Sequence, residues 1–230
     1  MSLTVAYAAL ATGIIVWAVL VTKLRAKPWE RQVMATAEGP DDVAIPPKRV
    51  GLWIFLAVIT SMFCLFVSAY YMRMGHSAHG TPAGPGDWAT IRDPSVLWFN
   101  TVLLIFSSIA MQSARAAVSR GQKEQTQVRL FAAGLLTLGF LIGQWFAWRE
   151  LRHSELFSPA NPAVAFFYVL TAVHALHLLG GLFVWARTLA RSLRKDVELI
   201  DVRLSVELTS VYWHYLLLVW LGLFAVLLST

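Results

Sequence analysis

Three histidines lie in the apolar C-terminal third of the chain, at spacings that suit a helical site. His174 and His177 are three residues apart, which places both side chains on one face of a helix, and His214 follows in a second apolar stretch. Together with the carboxylate of Glu207, these imidazoles could ligate a metal ion or a haem, or form hydrogen bonds between helices. Polar groups are costly inside a membrane, so residues of this kind usually have a structural or functional role there.

Hydrogen bonding between helices is the better interpretation of these residues. The other three histidines lie between the apolar stretches, and one carboxylate, Glu207, lies at the boundary of the last stretch. At 1.5 Å of rise per residue, His177 and His214 reach similar depths in the membrane. We therefore predict that Glu207, His214 and His177 form a buried cluster that fastens the last two helices, with no catalytic and no metal-ligating residue. The full set of predicted buried polar residues is Glu207, His214, His177, His174 and Gln144.

The composition indicates an integral membrane protein. Hydrophobic residues make up 57% of the chain and charged residues only 14%, whereas a soluble domain is about one-quarter charged. The only cysteine is Cys64, which excludes a disulfide within the chain and a metal site built from several cysteines.

Six apolar stretches have the length of a membrane-spanning helix, about 20 residues. They are residues 3–21, 50–72, 95–114, 130–148, 163–186 and 208–228. None shows the strand-like alternation of a membrane β-barrel, so we predict an all-α, polytopic membrane bundle of six transmembrane helices. Basic residues follow the first stretch rather than precede it, which favours a retained anchor over a cleaved signal peptide.

Lysine and arginine are concentrated in alternate loops. Fifteen of the nineteen lie in the first, third and fifth loops, and four lie in the second and fourth. By the positive-inside rule the odd-numbered loops are cytoplasmic, and the N and C termini are both outside. The net charge of +6 thus reflects membrane topology, and we predict no nucleic-acid partner.

Five segments occur in an order that matches a known family. Residues 207–220, ELTSVYWHYLLLVW, resemble the E-x6-H and WHFVDVVW segment that ends subunit III of the haem-copper oxidases. Residues 166–181, FFYVLTAVHALHLLGG, resemble the paired-histidine helix of that subunit, and residues 138–150, LGFLIGQWFAWRE, its glutamine-bearing helix. Residues 98–108 and 51–58 are similar to two earlier spans. The haem-copper oxidases are respiratory enzymes that reduce oxygen to water and pump protons.

Several positions depart from the family pattern. Ile59, Ala147 and Leu217 stand where the family often has acidic residues. The family also occurs with seven spans or five, whereas six are counted here. These departures remove polar positions that the family links to lipid binding or proton handling.

The resemblance implies a multi-pass membrane protein of the bacterial cytoplasmic (inner) membrane. It would be an accessory, non-catalytic subunit of a larger complex. Such a subunit packs against catalytic subunit I, with subunit II in the same complex, binds phospholipid and supports proton uptake. Haem and copper would be held by the partner subunits and not by this chain. In a single transmembrane domain, residues 1–49 would form an anchor helix and a cytoplasmic loop, and residues 50–230 the five-helix core. Lipid or subunit packing is expected of Trp213, Trp220, Glu150 and Asn100.

Two alternatives remain open at this point. An accessory subunit of a nitric oxide reductase would share this fold, because the electron donor and substrate are recognised by other subunits. An independent transporter or b-type haem protein is the other alternative. Transporters have broken helices near the middle of the membrane, and these spans contain few glycine or proline interruptions. A haem protein would need two facing histidines, such as His177 and His214.

Overall fold

The described part of the chain is almost entirely helical. The computed structural model describes residues 47–78, 95–153, 162–194 and 199–228. Its helices are α1 (Pro47–Ala78), α2 (Ser95–Ser119), α3 (Lys123–His153), α4 (Pro162–Leu193) and α5 (Leu199–Leu228). All five are long and apolar enough to cross a membrane.

The predicted all-helical membrane bundle is confirmed for these residues, and each of the last five predicted spans falls within one helix. The first predicted span, residues 3–21, lies outside the described residues, as do most of the first loop and of the loop that follows α1. The outside location of the termini stays a prediction.

The helices extend beyond the apolar stretches that predicted them. α3 has 31 residues, a length of about 46 Å, whereas the hydrocarbon core of a bilayer is about 30 Å thick. Its first turn carries Glu124, and its last turn carries Arg152 and His153. These charges suit the positive N-terminal and negative C-terminal ends of the helix dipole, so the helix continues into the polar region at both ends.

Helices α2 to α5 form a closed ring. α2 packs against α3 and α5, α3 packs against α4, and α4 packs against α5. Most of α1, up to Gly75, belongs to a separate compact unit. The predicted division into an anchor with its loop over residues 1–49 and a core over residues 50–230 stays a prediction.

A glycine turn makes α2 and α3 antiparallel neighbours. Gly121 has φ of 75°, in the left-handed region that favours glycine. The amide of Gln122 donates to the carbonyl of Ala117 at 3.1 Å, and the amide of Gly121 donates to that of Val118 at 3.2 Å. This pair of bonds is the Schellman motif that ends many helices. The backbone amide of Thr126 then donates to the carbonyl of Gln122 at 3.0 Å in the first turn of α3, and its hydroxyl donates to the same carbonyl at 2.8 Å.

Small residues let α2 and α3 approach closely. Ala114, Ala117 and Ala133 are fully buried, as is Leu130. Close backbone approach through small side chains is typical of helix packing in membranes. The approach brings the polar side chains of α2 within reach of the backbone of α3.

Candidate functional site in the helix bundle

Ser107 of α2 connects three helices. Its Oγ accepts a hydrogen bond from Nε1 of Trp213 in α5 at 2.8 Å and donates to the carbonyl of Ala133 in α3 at 2.8 Å. The hydroxyl of Thr137, also in α3, lies 2.7 Å away. Ser107 and Thr137 are fully buried and Trp213 nearly so. A serine hydroxyl can donate one bond and accept two, so Ser107 can bond to α3 and α5 at the same time.

We expect Ser107→Ala to destabilise the bundle by about 1 to 2 kcal/mol, because the buried indole N–H of Trp213 would lose its acceptor. The thermal unfolding midpoint of the purified full chain in detergent measures this effect. Ser113→Ala is the matched control, since Ser113 bonds only within its own helix through its hydroxyl, to the carbonyl of Ala110 at 2.7 Å. Equal midpoints for the two variants would contradict the prediction.

Trp220 of α5 is the centre of a second buried contact. Its Nε1 donates to the hydroxyl of Thr101 in α2 at 2.9 Å. Its ring meets Phe140 of α3 edge to face at a centroid distance of 4.8 Å and lies 5.3 Å from the ring of His174 in α4. Trp220, Phe140 and His174 are all fully buried, so this aromatic cluster joins α3, α4 and α5, and the hydrogen bond to Thr101 connects it to α2.

Asn100 and Gln144 meet in the interface between α2 and α3. Both are buried, and Nδ2 of Asn100 donates to Oε1 of Gln144 at 3.4 Å. The amide oxygen of Asn100 lies over Gly143, where only a hydrogen atom leaves room for it. Within the described residues, Oδ1 of Asn100 and Nε2 of Gln144 have no further hydrogen-bond partner. The pair therefore forms one long hydrogen bond in a closely packed interface.

Two other glycines each receive an aromatic side chain from the next helix. The indole of Trp185 in α4 covers Gly134 of α3, and its Nε1 donates to the carbonyl of Leu130 at 2.8 Å. Likewise, the ring of Tyr212 in α5 covers Gly181 of α4, and its hydroxyl donates to the carbonyl of His177 at 3.0 Å. In both cases the accepting carbonyl lies four residues before the glycine. The missing side chain gives the ring access to a backbone acceptor.

A comparison with models of protein families identifies the family of this chain. The model of cytochrome c oxidase subunit III matches residues 2–229, nearly the whole chain. The chain belongs to this family. The family predicted from the five sequence segments is therefore confirmed.

Individual relatives agree with the family match. Cytochrome c oxidase subunit 3 of Synechocystis sp. is 28% identical over 177 residues, which cover 77% of this chain and 73% of that protein. Probable cytochrome c oxidase subunit 3 of Mycobacterium tuberculosis is 26% identical over 204 residues, covering 84% of this chain and 98% of that protein. Heme-copper oxidase subunit I+III of Aeropyrum pernix is 25% identical over 174 residues, covering 75% of this chain and 21% of that protein.

The three residues of the predicted cluster, His214, His177 and Glu207, each make a different contact in this subunit III chain. His214 is exposed, and its Nδ1 lies 2.8 Å from Oγ of Ser108 in α2. Nδ1–H of His177 donates to the carbonyl of Val173 in its own helix at 2.8 Å. Glu207 pairs with Arg203 of its own helix at 3.2 Å. A shared cluster of Glu207, His214 and His177 stays a prediction, and Tyr212 makes a hydrogen bond between α4 and α5.

The residues expected to meet lipid or another subunit have different surroundings. Trp213, Trp220 and Asn100 are buried between helices of this chain. The two tryptophans of α5 donate to hydroxyl groups of α2, and Asn100 of α2 donates to Gln144 of α3. Contact of these residues with lipid or another subunit stays a prediction. Glu150 is exposed near the end of α3. His174 and Gln144, predicted to be buried, are buried.

Sequence reasoning missed the partners in these contacts. They are the hydroxyl acceptors Ser107 and Thr101, the glycines Gly134 and Gly181, and the aromatic residues Trp185 and Tyr212 that cover those glycines. An available signal was the presence of Gly134 and Gly181 in apolar spans, where glycine often marks close helix packing. Within residues 47–78, 95–153, 162–194 and 199–228, no three side chains of His, Cys, Asp or Glu come close enough together to hold a metal ion.

Proposed function

We propose that this chain is the accessory subunit III of a respiratory haem-copper oxidase that reduces oxygen to water and pumps protons. The observation that carries the proposal is the match of residues 2–229 to cytochrome c oxidase subunit III. The reported relatives carry oxidase names, which favours the oxidase over the nitric oxide reductase. In this proposal the chain is non-catalytic, and haem and copper are held by partner subunits.

The proposed location is the bacterial cytoplasmic membrane, beside catalytic subunit I and in a complex that also contains subunit II. Five helices that can cross a membrane support a multi-pass membrane protein. The relative from Aeropyrum pernix bears the name subunit I+III, so the two subunits are joined in that protein. We infer that here too subunit III adjoins subunit I.

We also propose that this chain binds phospholipid and supports proton uptake by the oxidase complex. The outward side of α3 carries large apolar side chains that are more than half exposed, among them Phe131, Ile142, Trp145 and Phe146. Such a surface is suited to phospholipid chains or to an apolar partner. The aromatic and polar contacts between the helices hold the bundle in one shape, and a defined shape is what stabilisation of subunit I requires.

Isolation of the tagged chain from native membranes tests this function. The complex is purified gently, and a reduced-minus-oxidised spectrum is recorded with a subunit gel, before and after the partners are stripped. We expect a haem signal that arrives with a large membrane subunit and leaves with it. A haem signal that stays with the isolated chain would overturn the proposal.

A further inference from the structure

One face of α1 carries a regular row of apolar side chains through most of the membrane-spanning part of the helix. We call this face the α1 seam and define it by six residues whose spacings alternate between four and three. They are Leu52, Leu56, Ile59, Phe63, Phe66 and Tyr70. This spacing is the a and d pattern of a heptad repeat, which places all six side chains on one narrow stripe. Such a stripe is typical of a helix that packs against one helical neighbour.

The α1 seam is buried, whereas the opposite side of α1 is exposed. The exposed fractions are 5% for Leu56, 2% for Ile59, 5% for Phe63 and 1% for Tyr70. Leu65, on the opposite side, is 71% exposed. A fully buried side chain touches about 6 to 12 other residues, which is more than its own helix supplies. Another segment therefore covers the seam.

The position of α1 in the chain indicates where the covering segment lies. The compact unit that contains α1 begins at Met1 and ends at Gly75. From Leu52 to Tyr70 the seam is about 27 Å long, close to the ~30 Å thickness of the hydrocarbon core. A helix suits this position, because irregular backbone in hydrocarbon would leave N–H and C=O groups without hydrogen-bond partners. The segment is thus expected to be a membrane-spanning helix that precedes α1.

Residues 3–21 are the apolar stretch of spanning length that precedes α1. They lie outside the described residues, and their sequence carries small residues at the helical spacing i, i+3 and i+7. These are Ala6, Ala9 and Gly13. In a helix the three would share one face, and small residues on one face let a neighbouring helix approach closely.

The depths of the two spans place these small residues opposite bulky ones. Consecutive membrane spans run in opposite directions, so the start of residues 3–21 lies level with the end of the apolar part of α1. Matching the two spans end to end puts Ala9 close to the depth of Phe63 and Ala6 close to that of Phe66. Large side chains of the seam would then fill the space that alanine leaves.

We propose that residues 3–21 form a membrane-spanning helix whose face of Ala6, Ala9 and Gly13 packs antiparallel against the α1 seam. The N-terminal span is then the partner of α1 within one chain, and not an anchor for a neighbouring subunit. Residues 22–46 connect the two helices, and a few of them suffice to span the ~8–10 Å between packed helix axes. The packing is independent of the proposed function, because both helices belong to this chain.

Disulfide formation in native membranes tests this packing. Cys64, the only cysteine, is first replaced by serine. Cysteines then replace Ala9 and Phe63 in the test variant, and Ala9 and Leu65 in the control, since Leu65 lies at nearly the same depth on the exposed side of α1. After oxidation, a non-reducing gel separates monomers from dimers, and mass spectrometry identifies the linked peptides. We expect a disulfide within one chain in the test variant and none in the control.

Three results would overturn the proposal. A disulfide between two copies only would mean that a second copy covers the seam. No disulfide in the test variant, or equal yields in both variants, would mean that residues 3–21 do not pack on the seam. If Phe63→Cys lowers the unfolding midpoint, cysteines at Ala6 and Phe66 replace the test pair, because Phe66 is only partly buried.

A large residue on the small face gives a second, independent test. Gly13 lies close to the depth of Ile59. We expect Gly13→Leu to lower the yield of the disulfide between positions 9 and 63 by about tenfold, because leucine would overpack the interface. Ala11→Leu, on the opposite side of the same span, is the matched control and should leave the yield unchanged. Equal yields for the two variants would overturn the assignment of this face to the α1 seam.

Discussion

Replacing Gly134 by alanine is expected to lower the free energy of unfolding of the helix bundle by about 2 to 3 kcal/mol. A methyl group at this position would occupy space that the indole ring of Trp185 fills. The ring would have to move, and its hydrogen bond to the carbonyl of Leu130, now 2.8 Å, would lengthen or break. The thermal unfolding midpoint of the full chain in detergent, followed by circular dichroism, measures the loss.

Gly139→Ala in the same helix is the control for this prediction. A methyl group there would meet Cδ1 of Leu103 at 3.6 Å, an ordinary van der Waals contact. Alanine also has a higher helix propensity than glycine, so this variant should be as stable as the parent chain or slightly more stable. A similar loss in both variants would mean that the Trp185 contact does not stabilise the bundle.

Hydropathy predicted the existence and order of α1 to α5 because the membrane imposes a strong and simple constraint. Each helix must cover about 30 Å of hydrocarbon with apolar side chains. Hydropathy did not predict where the helices end. For example, α3 begins at Lys123, whereas the apolar stretch begins at Leu130. Lysine, glutamate and glutamine are good helix formers, so the helix continues where the apolar signal stops.

The partners of the polar residues could not be predicted because depth alone does not determine them. Depth places His214 level with His177, so the sequence predicts that the two could meet, and their shared cluster stays a prediction. The structure places Nδ1 of His214 2.8 Å from Oγ of Ser108 in α2, a contact that depth does not indicate. Rotation of each helix about its axis, and the closed ring that makes α2 a neighbour of α5, decide the partner. The periodicity of a single helix predicts neither its rotation nor its neighbours.

The hydrogen-bond acceptors of Trp213 and Trp220 could not be predicted for a related reason. The sequence predicts packing for these two side chains, with lipid or another subunit as the partner, and does not indicate what accepts from their indole N–H groups. Those acceptors are Ser107 and Thr101 of α2, which are buried and close to ordinary apolar residues in the sequence. A tryptophan in a membrane span therefore predicts a nearby small hydroxyl residue or glycine on another helix, but not which one.

Trp220→Ala is expected to have the largest effect in this chain, a loss of about 3 to 5 kcal/mol in the free energy of unfolding. Trp220 is fully buried, and its removal would leave a cavity beside Phe140 and His174. The hydroxyl of Thr101 would also lose the donor that now lies 2.9 Å away. Trp220→Phe fills most of the space without the N–H group, so its loss should be intermediate.

Trp145→Ala is the matched control, because Trp145 is 63% exposed on α3 and its removal leaves no cavity inside the bundle. We expect its unfolding midpoint to stay near that of the parent chain. A similar loss of stability in Trp145→Ala and Trp220→Ala would mean that the buried contact of Trp220 with Thr101, Phe140 and His174 does not stabilise the bundle.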